Sequence, residues 1–126
     1  MWRLLALTGL VVMTATASGS QGPELNNVMR EKLTHAQKLL EAVVTSDWAS
    51  LEDHSRELER LTNDPRWTVL KYPEYARHSL AFVRAVQALR TAAAQRDLEK
   101  TPKAYMDVTL QCVECHRYLA RARVAQ

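Results

Sequence analysis

Four stretches of the chain carry apolar residues at the spacing of an amphipathic helix. In the first, which runs from Pro23 to about Thr45, apolar side chains recur every three or four residues. This spacing gathers on one helical face the residues Leu25, Val28, Met29, Leu33, Ala36, Leu39, Leu40 and Val43. Projection at 100° per residue places Met29 and Ala36 near the middle of that face.

The same periodicity predicts three further helices. Ser46 or Asp47 can cap the second, which ends near Thr62, and the third covers residues 73–95. Thr101 is the predicted cap of the fourth, which continues to about residue 121. The predicted inner face of the second helix consists of Trp48, Leu51, Leu58 and Leu61. That of the third helix consists of Tyr75, Ser79, Phe82, Val86, Leu89 and Ala93. That of the fourth helix consists of Tyr105, Val108, Cys112, Cys115 and Leu119. No stretch alternates with the period of a strand, so we predict an all-α antiparallel up-down-up-down four-helix bundle.

The N-terminal residues have the pattern of a secretory signal peptide. Arg3 precedes an apolar stretch over residues 4–13, and small residues follow up to Ala17. A retained membrane anchor is the alternative, but the apolar stretch is short for a membrane span. We therefore expect export to the periplasm, cleavage that removes residues 1–17, and no stable membrane anchor. Residues 18–126 would then form one domain.

The length and charge of the chain indicate a single domain and argue against a nucleic-acid-binding protein. A chain of 126 residues with 47 % hydrophobic content suffices for a single core. The net charge of +3 falls to +2 when Arg3 is removed, and the clearest basic cluster, which includes Arg117 and Arg121, lies on the last helix. No basic stripe of the kind that binds nucleic acid is present, so we expect no nucleic-acid partner.

The two cysteines of the chain belong to one motif, Cys112-Val113-Glu114-Cys115-His116. Cys-x-x-Cys-His is the attachment pattern of a c-type haem. On a helix, positions i, i+3 and i+4 share a face, so both thiols can form thioethers with the vinyl groups while the imidazole binds the iron. The sequence predicts one haem c per chain, with Cys112 and Cys115 as its attachment residues and His116 as the proximal iron ligand.

Three alternative roles of the two cysteines and the histidine fit the sequence less well than haem attachment. A redox-active dithiol belongs at a helix start after a strand, whereas this motif lies late in a helix. A zinc site needs as a rule four ligands, and the fourth would have to be a distant histidine. A disulfide between cysteines three residues apart would close a small, strained loop.

The other side of the iron is predicted to face the first helix. Met29 lies centrally on its inner face, and a thioether suits low-spin haem iron, so Met29 is the candidate distal ligand. Leu33 could instead cover a five-coordinate iron. His35, His54 and His78 are rival ligands, although projection makes each of them a surface or boundary residue.

Several other side chains are candidates for the surroundings of the haem. Aromatic residues that could wall its pocket are Trp67, Tyr72, Tyr75, Phe82 and Tyr105. The aromatic connection over residues 63–72 is predicted to cover one end of the bundle. Arg117 and Arg121 could neutralise haem propionates or could simply be solvated.

A Cys-x-x-Cys-His motif near the end of the fourth of four helices resembles the class II cytochromes c, the group of cytochrome c-prime and cytochrome c-556. The resemblance implies a haem between the first and fourth helices, and its members are often dimers through their first two helices. Residues 25–29 also resemble the ligand helix of cytochrome b-562, whose methionine lies at the place of Met29. The chain departs from the class II pattern at Leu119 and Ala120, where an aromatic and a basic residue are usual.

These features predict a non-enzymatic protein that transfers single electrons between periplasmic redox partners. The alternative from the same resemblance is a gas-binding haem protein that captures NO or CO at an open iron position. A third hypothesis is a haem-free helical module that uses its thiols for redox or metal handling. No catalytic constellation stands out beyond the haem motif.

Overall fold

The computed structural model describes residues 21–68 and 70–124, and these form helices without any strand. The helices are α1 (Gln21–Thr45), α2 (Trp48–Thr62), α3 (Pro73–Ala94) and α4 (Lys100–Val124). The predicted all-α class is thereby confirmed, with helix ends close to those expected. The predicted signal peptide, residues 1–17, lies outside the described residues. Within the described part, no helix has both the length and the apolar character needed to cross a membrane.

Local hydrogen bonds explain where α2 begins. Asp47 is its N-cap, and the Asp47 Oδ1 atom accepts a hydrogen bond of 3.1 Å from the backbone N–H of Ser50. Ser46, the other predicted cap, instead adopts a positive φ of 54° directly after α1. The carboxylate therefore satisfies one of the free N–H groups of the first turn of α2.

The predicted cap of the fourth helix is wrong. Asp97 Oδ1 accepts hydrogen bonds from the backbone N–H groups of Glu99 and Lys100, at 3.0 and 2.8 Å. Thr101 is buried within the first turn. The Asp97 side chain supplies an acceptor for two free N–H groups, and the helix begins at Lys100, two residues before the start at Pro102 that a Thr101 cap predicts.

The helices contact one another in a ring, in the order α1, α2, α3, α4, and the weakest of the four neighbouring contacts is that between α4 and α1. This arrangement is compatible with a four-helix bundle. One core cluster joins all four helices and consists of Val28, Leu39, Ala42, Leu51, Leu58, Leu61, Trp67, Tyr75, Phe82, Val86, Leu89, Ala93, Ala104 and Val108. The burial of Trp67 shows that the connection between α2 and α3 also contributes to the core.

The inner face of α1 differs from the predicted one. Leu33 and Leu40 are 58 % and 50 % exposed, whereas Lys32 is partly buried. Leu33 and Leu40 are seven residues apart and therefore share one edge of the predicted face. That edge faces solvent because α1 packs mainly on α2 and only slightly on α4.

Candidate functional site

A cavity of about 460 Å³ brings together residues that are far apart in the sequence. Cys112, Cys115 and His116 line it from α4, and Met29 lines it from α1. Both cysteines and Met29 are partly buried and pack against the core, while His116 is exposed. The cavity has the size that is usual for small-molecule and cofactor sites.

The walls of the cavity are mostly apolar and aromatic. Trp67 and Phe82 form an edge-to-face pair with ring centroids 5.5 Å apart. Tyr75 lines the same wall and donates a hydrogen bond of 2.7 Å to the backbone carbonyl of Trp67. These three aromatic residues therefore give the cavity an aromatic wall on the side of α3.

The other two aromatic candidates lie elsewhere. Tyr72 is 54 % exposed, and Tyr105 donates a hydrogen bond of 3.0 Å to the backbone carbonyl of Ala36. Neither of them lines the cavity. Arg117 and Arg121 are exposed and do not line it either, and Arg117 pairs with Glu114 at 3.5 Å. These residues are consequently not part of the cavity wall.

Both cysteines are free thiols in the structure. Burial raises the pKa of Cys112 and that of Cys115, although the nearby Lys32 ammonium acts in the opposite direction. Reactive dithiols have lowered thiol pKa values, so the electrostatics here differ from those of a redox-active pair. Within residues 21–68 and 70–124, no group of three or more His, Cys, Asp or Glu side chains could hold a metal ion.

His78 is the one predicted rival ligand that lines the cavity among the described residues. It is only 7 % exposed, so its prediction as a surface or boundary residue is wrong. Position 78 lies three residues after Tyr75 and four before Phe82, which places it on the inner stripe of α3. Its Nε2 atom is 3.3 Å from the guanidinium of Arg77, which can only donate, so Nε2 accepts this bond.

His35 and His54 form a pair between α1 and α2 outside the cavity. Their Nδ1 atoms are 3.0 Å apart, which requires one ring to donate and the other to accept. Burial is the main cause that lowers the pKa of His35, and the neighbouring His54 lowers it further. The structure therefore does not bring either histidine to the residues of the haem motif.

Lys32 is a cavity residue that the sequence did not suggest. Its Nζ atom lies 3.6 Å from the ring centroid of Trp67 and 3.8 Å from that of Phe82, within the range of cation–π contacts. Burial lowers the pKa of Lys32 to about 8, although attraction to Cys112 and Cys115 opposes this shift. A lysine is normally assigned to the solvent face. Its position could have indicated that it faces inward, because Lys32 lies four residues after Val28 and four before Ala36 on the same helix.

Comparisons of the chain with models of protein families, with curated proteins and with solved structures found no match. The interpretation of the cavity therefore depends on the residues that line it.

Proposed function

We propose that this protein is a c-type cytochrome that carries one covalently bound haem and transfers single electrons between periplasmic redox partners. The observation that carries the proposal is the meeting of Cys112, Cys115 and His116 with Met29 at one apolar cavity. Cys-x-x-Cys-His alone is a spacing pattern. Its position at a cavity of cofactor size, opposite a thioether on another helix, supports haem attachment.

The donor set and the walls of the cavity fit a haem c. Cys112 and Cys115 would hold the macrocycle through thioethers, while His116 and Met29 would bind the iron from α4 and α1. The buried Ser79 Oγ, which lines the cavity, makes no hydrogen bond with the described residues and is available to a bound group. When bound, the haem supplies an iron that cycles between Fe(III) and Fe(II). The surrounding residues would exclude water and keep both axial positions filled, which favours electron transfer.

The proposal includes an antiparallel up-down-up-down bundle with the haem between α1 and α4. Two residues join α1 to α2, and residues 95–99 join α3 to α4. Connections this short favour antiparallel neighbours. The weak contact between α1 and α4 leaves room between the two helices that carry the proposed ligands. Leu119 and Ala120, the places at which the chain departs from the class II pattern, both line the cavity.

Haem staining after denaturing electrophoresis tests the proposal, because only a haem held by thioether bonds survives denaturation. The chain is produced in a host that matures c-type cytochromes, beside a Cys112→Ala/Cys115→Ala variant. We expect a stained wild-type band and no stain in the variant. An unstained wild-type protein would refute haem attachment and favour the haem-free helical module.

The absorption spectrum of the ferrous protein tests Met29 as a ligand. Met29→Leu removes the thioether, and Met106→Leu is the matched control because Met106 lies on the exposed face of α4. We expect a low-spin wild-type spectrum that becomes high-spin in Met29→Leu and stays unchanged in Met106→Leu. A high-spin wild type that Met29→Leu leaves unchanged would exclude Met29 ligation.

A gas-binding protein is the second candidate function. Leu33 and Ala36 line the α1 side of the cavity beside Met29, so apolar side chains could cover an open iron position. Rapid binding of carbon monoxide by the reduced wild type would support this function. Slow or absent binding would support electron transfer with both axial positions filled.

A further inference from the structure

Lys32 is partly buried, and its ammonium has no anionic partner among the described residues. Its Nζ atom lies over Trp67 and Phe82 inside the cavity, and no carboxylate lines that cavity. The titratable side chains around the cavity are Tyr75, His78, Cys112, Cys115 and His116. Burying an ammonium without a counter-ion is unfavourable, and cation–π contacts offset only part of that cost.

Apart from its contacts with the two aromatic rings, the Lys32 ammonium receives little electrostatic stabilisation in the cavity. Attraction to Cys112 and Cys115 opposes the lowering of its pKa only when a thiol is ionised, and burial raises the pKa of both thiols. Thioether sulfurs carry no charge, so haem attachment would leave no such attraction. The propionates lie at the opposite edge of a haem from its vinyl groups, and Lys32 is placed near both attachment cysteines. The neutral amine is therefore favoured in the loaded cavity.

The location of Lys32 gives its amine access to the same space as Met29. The two residues are three positions apart on α1, so they share a helical face, and both line the cavity. An amine nitrogen is a harder ligand than a thioether sulfur, and Fe(III) is a harder ion than Fe(II). The two side chains therefore differ in the oxidation state of iron that they favour.

We propose, on the basis of the function proposed above, that the amine of Lys32 binds the ferric iron in competition with the sulfur of Met29. In this exchange the Lys32 ammonium releases one proton to water and its nitrogen forms a bond to iron. The bond between iron and the Met29 sulfur breaks. Iron keeps its oxidation state throughout. Lys32 thereby stabilises the ferric protein, whereas Met29 is the ligand of the ferrous protein.

The test compares holoproteins that carry Lys32→Leu or Lys32→Arg with the wild type. Leucine removes both the amine and its charge, and arginine keeps the charge but is always protonated. The matched control is Lys38→Leu, which alters an exposed lysine of α1 that pairs with Glu41. Each protein is checked by haem staining and by helical circular dichroism. The ferric and ferrous absorption spectra and the midpoint potential are then recorded.

We expect a nitrogen-ligated ferric spectrum in the wild type and in Lys38→Leu. Both Lys32 variants should lose that spectrum, keep the ferrous spectrum, and show a higher midpoint potential because the ferric state has lost its ligand. The proposal is overturned if the wild-type ferric spectrum is that of a thioether ligand or if the variants leave it unchanged. It is also overturned if the potential falls in Lys32→Leu and stays constant in Lys32→Arg, since Lys32 would then act as a charge. An unstained wild type would instead mean that the proposed function itself has failed.

Discussion

Two regions of the core differ in how their space is filled. In the first, which we call the closed core, Leu39, Leu51, Val86 and Leu89 are completely buried against one another and their neighbours. In the second, the cavity wall, buried, partly buried and exposed side chains surround a space of about 460 Å³ and include two thiols, a thioether and a lysine. Close packing stabilises a fold, whereas a cavity loses contacts in return for room to bind a group. We infer that the closed core stabilises the protein and that the cavity wall provides its site.

The largest difference between the two regions should appear when leucines are truncated. Leu89→Ala in the closed core is expected to lower the free energy of unfolding by about 2–5 kcal/mol. Leu25→Ala in the cavity wall should cost about 1 kcal/mol, because Leu25 is only partly buried and already borders a cavity. Urea unfolding followed by circular dichroism measures both, in the Cys112→Ala/Cys115→Ala background to exclude any effect of a cofactor. Equal losses at the two positions would show that the regions do not differ.

A smaller effect, of opposite sign, is expected from the lysine of the cavity wall. Lys32→Leu should raise the free energy of unfolding of the same haem-free background at pH 7 by roughly 1–3 kcal/mol, because it removes a buried, unpaired charge. Lys38→Leu, on the exposed face of α1, should change it by no more than about 0.5 kcal/mol. If Lys32→Leu destabilises the chain, the contacts of Lys32 with the aromatic rings outweigh the cost of its burial.

The smallest effect concerns the pair His35 and His54, which joins α1 to α2 outside the cavity. Because burial lowers the pKa of His35, the folded protein favours the neutral ring, and unfolding takes up a proton. The stability due to this pair is therefore complete above the ordinary histidine pKa of about 6.5 and is lost as the pH falls through that value and the lowered one. His35→Gln should flatten the dependence of the urea midpoint between pH 7 and 5. An unchanged slope would exclude this linkage.

The sequence predicted the fold well because helix formation here follows local patterns. The apolar spacing and the helix-favouring segments placed all four helices, and Asp47 was one of two predicted caps for α2. The error at Thr101 arose because Asp97, an equally suitable acceptor, lies four residues earlier. Both Asp97 and Thr101 have side chains that can cap a helix, and the conformation of the turn before α4 determines that Asp97 does so.

The site was only partly predictable, because its walls depend on how each helix is rotated. The spacing of Cys112, Cys115 and His116 fixes their common face within one helix, and Met29 followed from the periodicity of α1. The periodicity assigned Leu33 to the inner face and left out Lys32, because only apolar residues were considered for that face. In the structure Leu33 borders the cavity but is 58 % exposed, whereas Lys32 is partly buried with its Nζ over two aromatic rings. The burial of His78 likewise depends on the packing of α3 against α4 rather than on its residue type.

The intact mass of the denatured chain shows whether a haem is covalently attached to it. The protein is purified from a host that matures c-type cytochromes, and free thiols are counted in the same sample. If haem is attached as proposed, the mass exceeds that of the polypeptide by one haem and neither Cys112 nor Cys115 reacts as a thiol. A chain with the mass of the polypeptide alone and with two reactive thiols would contradict the proposed attachment.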